Sequence, residues 1–357
     1  MDLAALGWSP HFDAAFAPYS VQGWAPGRVA VEDKHAYSVF TGQGARTAVV
    51  RGRLLHQCVD RSLLPKVGDW VALHSPSGGV QAVIEAVLPR RTRLARKVAG
   101  REMEEQVLAA NVDVAFVVLA LDATFNLRRL ERFLVMVKEG GVRPVIVLNK
   151  ADLGEQVGVR RSQAESAASG APILLASART GEGIKALRGC LRSGETTVMI
   201  GASGVGKSSL INRLYGEEIQ PTLEVREGDA KGRHSTTWRE LIPLPEGALV
   251  IDTPGMREFH MWTADEGLEE AFADLEALAA GCHFRNCTHT VESRCALLAA
   301  VARGELTRGR YESYLKLKAE LAYLAEERLR HTFQGRREKS RSKHRRAPAS
   351  PDRLDPP

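Results

Sequence analysis

The sequence predicts a multidomain chain: an N-terminal OB-type β-barrel, a central α/β domain built around a phosphate-binding loop, and a C-terminal α-helical domain carrying a metal-ligand cluster. Three observations predict it. Short β-rich runs broken by turn residues fill positions 28 to 93, the spacing G-x-x-x-x-G-K-S joins an apolar run to a helix at 197 to 209, and four Cys/His side chains fall within 282 to 295.

Bulk properties narrow the classes. A chain of 357 residues is long enough for two to four domains, and its 44% apolar and 26% charged residues are ordinary for a globular protein with real cores. The net charge of +6 is matched by the tail 336 to 346 alone, RREKSRSKHRR, so the basicity belongs to an appendage. No basic stretch followed by an apolar one opens the chain, and no run approaches the roughly 18 apolar residues of a membrane span. A cytoplasmic protein with no membrane partner is expected. Five cysteines, three of them between 282 and 295, suit a metal site in a reducing compartment better than a disulfide framework.

Residues 1 to 27 show no clear periodicity and are read as an N-terminal arm. From 28 to 93 the runs RVAVED, AYSVFT, ARTAVVRGRLL, VGDWVALH and VQAVIEAVL are five short strands, the number a small closed barrel of the OB type needs. Such barrels commonly bind nucleic acid, though many serve as spacers. The dense basic linker Arg90, Arg91, Arg93, Arg96, Lys97 and Arg101 is either a solvated face or a track for phosphates.

From 94 to 263 the rhythm is that of a doubly wound α/β domain. VDVAFVVLAL is apolar enough to be buried on both faces of a parallel sheet, and Leu127, Leu130, Phe133, Leu134 and Val137 recur after it at helical spacing. Further strands are expected at 144–148, 173–175, 198–200, 241–244 and 248–251. Gly201, Ala202, Ser203, Gly204, Val205, Gly206, Lys207, Ser208 and Ser209 form the phosphate loop. Its backbone N–H groups converge on an anion, Lys207 reaches the terminal phosphates, and Ser208 offers a hydroxyl to Mg²⁺.

Other motifs fall at the carboxyl ends of strands, where such sheets bind ligands. In Asn149-Lys150-Ala151-Asp152 the aspartate can accept from N1–H and the exocyclic amine of guanine, a pair adenine lacks. Ser177-Ala178 is where a backbone N–H can meet the guanine carbonyl. Asp252-Thr253-Pro254-Gly255 offers a carboxylate to the Mg²⁺ shell and an N–H to a γ-phosphate, and Gly232 to Thr237 supplies the hydroxyls of Thr236 and Thr237 to Mg²⁺. The base-reading motifs precede the phosphate loop here, the reverse of common GTPases, so the domain is circularly permuted. Permutation is tolerated where natural termini lie close together.

The segment 265 to 281, DEGLEEAFADLEALAAG, reads as one amphipathic helix with acids in its first turn and Gly281 as its C-cap. Cys282, Cys287, His289 and Cys295 come next with the spacing C-x₄-C-x-H-x₅-C, a donor set that suits a closed tetrahedral zinc site of structural role. Cys58 and Cys190 are expected as core fillers and His283 as a solvated bystander. Residues 305 to 333 carry Tyr311, Tyr314, Leu317, Leu321 and Leu324 on one helical stripe, completing a domain over 264 to 335. The tail 336 to 357 is expected to be disordered and able to settle on RNA.

On the permuted order, the switch GRHSTT and the cysteine spacing, the chain resembles the small ribosomal subunit biogenesis GTPases of the RsgA family. The resemblance implies a central circularly permuted P-loop GTPase between an OB barrel and a C-terminal zinc-binding domain. It also implies hydrolysis of GTP to GDP, stimulated by the small ribosomal subunit during its late maturation. Ser235 stands where the family usually has threonine and keeps the hydroxyl. Met256, after the DTPG glycine, cannot orient water as glutamine does in many GTPases, so intrinsic hydrolysis should be slow, and His234 resembles the histidine the family uses instead. Expected ligands are GTP or GDP with Mg²⁺, one structural Zn²⁺, and the small subunit with its rRNA; a monomer is expected. The rival readings are an RNA-binding module with a vestigial nucleotide site and an ATP-dependent phosphotransferase, the latter disfavoured by Asp152.

Overall fold

In a computed structural model, the described residues are 1–33, 36–57, 61–76, 81–97, 105–153, 156–219, 239–252, 265–323 and 326. The first strands are β1 (Ala25–Asp33), β2 (Ala36–Thr41), β3 (Gly44–Val50), β4 (Trp70–His74) and β5 (Ala82–Val87). They pair in the order β1-β2-β3-β5-β4 and close where β4 returns to β1, with only β3–β5 parallel. Val29, Val39, Ala48, Val71, Leu73 and Ile84 fill the interior. Gly27 is required there, because a Cβ would stand 2.5 Å from Val39 and 2.6 Å from Leu73.

The third strand differs from expectation, and the arm carries a helix that its sequence did not announce. Residues Pro10–Ser20 form a helix, α1, whose Phe12 packs against Trp70 at the start of β4 while Phe16, one turn on, packs on Trp8, which itself lies edge-on to Trp70. The chain also leaves the sheet at Arg51, and Gly52–Gln57 is a helix, α2, rather than a continuation of the strand. Alternation fails at that point: Leu54 packs on the barrel core while Leu55 is half exposed.

The basic linker is largely structured. Arg90 donates to the buried carboxylate of Asp69 at 2.7 and 2.8 Å, Arg91 pairs with Asp113, and Arg93 pairs with Glu105. Residues Arg93–Lys97, β6, form an antiparallel pair with Glu105–Ala110, β7. Arg90 is therefore a fixture of the barrel. Arg101 and Cys58 lie outside the described residues.

The α/β domain continues as β8 (Val114–Ala120), α3 (Leu127–Glu139), β9 (Arg143–Asn149), α4 (Val157–Ala167), β10 (Ile173–Leu175) and α5 (Ile184–Gly189). It is completed by β11 (Thr196–Ile200), α6 (Lys207–Tyr215), β12 (Glu240–Pro243) and β13 (Leu249–Asp252). Strand order is β10-β9-β8-β11-β13-β12, parallel except for β12. The apolar strands β8 and β11 are buried throughout, as central parallel strands must be. Arg28, fully buried on β1, ties barrel to sheet by donating to the carbonyls of Leu6 and Asn111 and to the Thr196 hydroxyl at 2.7 Å.

The single helix expected over 265–281 is two, α7 (Asp265–Ala271) and α8 (Ala273–Ala279), broken at Phe272. Phe272 is fully buried against Tyr314, and the break lets α7 run along α3 while α8 turns away to support the cysteines. Gly267 lies so close to α3 that a Cβ would stand 2.3 Å from the Val135 carbonyl. After α9 (Ala296–Ala302), a helix over 308–323, α10, lies along α3. Its buried Arg310 pairs with Glu131 at 3.2 Å and Asp274 at 2.7 Å and lies over the Phe272 ring, while Ser313 donates to Glu131 and Arg132 pairs with Glu320. Leu324 and the tail lie outside the described residues. Among the described residues no helix is long and apolar enough to cross a membrane.

Removing Arg310 strands the buried Glu131 carboxylate. Arg310→Ala should lower stability by about 3–5 kcal/mol, read as an earlier first transition in chemical denaturation. Arg308→Ala, which breaks an exposed pair with Glu312 on the same helix, should cost under about 0.5 kcal/mol.

Candidate nucleotide and metal sites

Strand β11 ends at Ile200 and the chain turns at once into the loop 201–206. Gly201 passes the end of β8 with no room for a side chain, since a Cβ would lie 2.5 Å from the Val118 carbonyl. Gly204 and Gly206 take φ of +78° and +95°, which L side chains rarely adopt, and a Cβ on Gly206 would strike the Asn149 amide at 2.3 Å. The loop thus curls into the start of α6. Lys207 opens that helix, and its Nζ donates to the carbonyls of Gly201 and Ala202, both at 2.9 Å. Burial lowers this amine to about 8, against the opposing pull of Asp252 at the end of β13. A half-buried ammonium whose hydrogen bonds among the described residues go to neutral carbonyls is poised for anionic oxygens. Ser208 comes next in the first turn, and Ser209 faces the adjoining cavity.

That cavity, about 650 Å³, is lined among others by Asn149, Asp152, Ala178, Arg179, Ser209 and Arg213. Asn149 ends β9 fully buried; its Nδ2 donates to the Val205 carbonyl at 2.8 Å and its Oδ1 accepts from the Ala178 N–H at 3.1 Å. One carboxamide therefore joins the phosphate loop to the loop after β10. Lys150, at φ +61°, pairs with Asp122 at 2.8 Å. Asp152 sits in the turn Ala151–Leu153 and accepts from the buried Ser177 hydroxyl and from Arg179. The Ser177 hydroxyl, with Arg179 beside it, holds this carboxyl below the usual carboxylate range.

The four metal-ligand candidates converge between α8 and α9. Cys282 lies just after α8, Cys295 caps α9, and the donor atoms of Cys282, Cys287, His289 and Cys295 lie within 4.8 Å of one another. The Cys282 and Cys295 sulfurs are 3.9 Å apart, and each is 3.5 Å from His289 Nδ1. Zn–S bonds of about 2.3 Å in a tetrahedron place sulfurs about 3.8 Å apart, close to the Cys282–Cys295 separation, so the cluster could hold a metal ion. Sulfurs at this separation are free thiols. The Ala296 N–H donates to Cys282 Sγ at 3.3 Å, and Tyr311 OH donates to the His289 carbonyl at 2.6 Å, fixing a residue held at φ +62°. His283 is exposed, and Cys190 ends α5 half-buried against apolar neighbours.

A protein-family description, RsgA GTPase, matches residues 87–262. An Opitutus terrae protein named small ribosomal subunit biogenesis GTPase RsgA is 46% identical over 334 residues, 91% of this chain and 91% of that protein. The chain belongs to the RsgA GTPase family. Among solved structures, YjeQ from Thermotoga maritima superposes with a TM-score of 0.63 at 30% identity, covering 84% of this chain and 99% of the other. A second, described as YloQ, a circularly permuted GTPase, gives 0.58 at 24% identity, covering 84% and 95%, and shares the fold.

As an RsgA GTPase the protein hydrolyses GTP. Asn149, Lys150, Asp152, Ala178, Val205 and Gly206 are neighbours through the contacts described, with Lys207 and Asp252 further along the strand ends. His234, Thr236, Thr237, Gly255 and Met256 lie outside the described residues. Sequence reading passed over Asp122, Arg179 and Arg213. Asp122 carried a signal, since it follows the end of a strand as the other motifs do; the two arginines carried none.

Phosphates favour the Lys207 ammonium and raise its pKa above about 8. Nucleotide affinity should therefore be complete below pH 8 and fall as pH rises through it, by up to about tenfold per unit. Titration of a fluorescent GDP from pH 7 to 9 checks this, with Lys207→Ala removing the slope.

Proposed function

We propose that the protein is a cytoplasmic, monomeric nucleotide switch that binds the small ribosomal subunit and its rRNA, assists late maturation, and times its release by hydrolysing GTP to GDP and phosphate. The observation that carries this reading is the junction at Asn149, where a base-reading loop and a phosphate loop meet over one cavity. In this reading Asp152 accepts from guanine N1–H and the exocyclic amine, while Ser177 orients that carboxylate. The Ala178 N–H, which donates to Asn149 Oδ1, is shared with the guanine carbonyl as a three-centre donor. Backbone amides of Ala202 to Ser209 and the Lys207 ammonium hold the phosphates. Ser208 and Asp252, with Thr236 or Thr237, are hard oxygen donors suited to Mg²⁺, which when bound neutralises charge on the phosphate oxygens. Gly255 donates to the γ-phosphate and His234 orients the attacking water in place of a glutamine.

The domain reading that accompanies it assigns 1–27 to an arm, 28–93 to the barrel, 94–263 to the GTPase, 264–335 to a helical zinc domain and 336–357 to a basic tail. The barrel and the tail are the candidate rRNA contacts. Zinc is the metal best matched by three thiolates and one imidazole in closed tetrahedral spacing.

Phosphate release should rise when purified small subunits are added; a rate that does not change removes the ribosomal role and leaves the GTPase. His234→Ala should retain GTP binding and lose stimulated turnover, and a variant that keeps full turnover returns the histidine to a structural role. Elemental analysis should give about one zinc per chain, and Cys287→Ser should lose the metal and lower the melting temperature of the C-terminal domain.

A further inference from the structure

Asp152 does not face the cavity as a bare anion. The Arg179 Nε–H donates to its Oδ2 at 2.8 Å, with a terminal guanidinium nitrogen at ion-pair distance, 2.7 Å, from the same oxygen, while the Ser177 hydroxyl donates to Oδ1. The guanidinium thus lies against Oδ2 with its charge as well as its donor. The arginine does not sit there by accident of a floppy loop: Arg213, on the helix that starts at the phosphate loop, donates to the carbonyls of Ala178 and Arg179, both at 2.7 Å. Arg188 in turn reaches the carbonyls of Arg213 and Leu214, bracing the end of that helix. The backbone of Arg179 is thereby pinned at the cavity rim, with its side chain largely exposed and Asp152 nearly buried.

We infer that Arg179 is a specificity-determining residue that competes with guanine for Asp152, so that base recognition is an exchange of partners on one carboxylate. The inference rests on the reading of Asp152 as the guanine acceptor. Guanine brings two N–H donors in a plane and needs both carboxylate oxygens, including the one the guanidinium lies against, so base and arginine compete for that oxygen. Guanine supplies one donor to Oδ2 in place of the arginine and a second to Oδ1, whereas adenine presents a lone pair at N1 and cannot supply that pair. The pair therefore lowers affinity for guanine nucleotides while keeping the carboxylate satisfied against everything else. Arg213 is the positioning residue of this arrangement.

Equilibrium and stopped-flow binding of GDP to the full chain test it. Arg179→Ala should bind GDP roughly two- to fivefold more tightly, the range that an ion pair with one exposed partner supports, chiefly through faster association. The difference from wild type should shrink when salt is raised to about 0.5 M, which screens the pair. Asp152→Asn should move preference from guanosine to xanthosine diphosphate, and in that background Arg179→Ala should no longer tighten binding. If Asp152→Asn switches the base but Arg179→Ala weakens binding of both diphosphates, the arginine stacks on the base and the competition is refuted. If Asp152→Asn leaves base preference unchanged, the guanine-acceptor reading itself falls, and the competition with it.

Discussion

The Asn149 carboxamide is the contact on which the nucleotide site depends. It is fully buried, its donor is spent on the Val205 carbonyl and its acceptor on the Ala178 N–H, so three chain segments distant in sequence are held at hydrogen-bond distance. A buried amide with both ends satisfied stabilises one geometry and penalises its neighbours, because a shift of any segment leaves a polar group unpaired in a dry place. The absence of a side chain at Gly206 belongs to the same constraint, since the amide occupies the space a Cβ would need. Base end and phosphate end are therefore fixed relative to each other before any ligand contributes.

The permuted order costs the sheet nothing. The phosphate-loop strand β11 lies between β8, which precedes it by more than seventy residues, and β13, which comes after it, and pairs with both in parallel. Hydrogen bonds and buried apolar faces depend on which strands are adjacent and not on the order in which the chain visits them. Permutation instead changes the destination of the chain once it leaves the last strand. After β13 the chain proceeds to α7, which packs along α3 at the Gly267 approach, and the metal-ligand cluster is built on the helices beyond. Helix α3 thus carries the β8–β9 crossover on one side and receives the C-terminal domain on the other, through Glu131 and Arg132.

The two ends of the molecule are each pinned by a buried arginine, beside the β1–β12 strand pairing at one end and the packing of α7 on α3 at the other. Arg28 crosses from the barrel to the sheet and the N-terminal arm, and Arg310 crosses from α10 to α3 and α8. Each guanidinium has several donors to place and meets carbonyls, a hydroxyl or carboxylates from different segments, which specifies orientation better than apolar packing alone. A wholly greasy interface would slide more readily.

From the sequence alone the barrel, the parallel sheet, the permuted order and the Cys₃His spacing were legible, because each is written as local periodicity or fixed spacing within a few tens of residues. The same locality explains the errors. Helix α2 comes after a strand with only Gly52 to mark the change, and the break at Phe272 exists because that ring is buried against Tyr314, forty-two positions away. Arg90 looked like one cation in a basic run until Asp69 closed on it. Local chemistry determined which elements form and which residue types can bind phosphate, guanine or metal. Only the tertiary structure decided which arginines are spent on carboxylates and which loops share one amide, since those pairings join residues whose separation along the chain carries no trace of their contact.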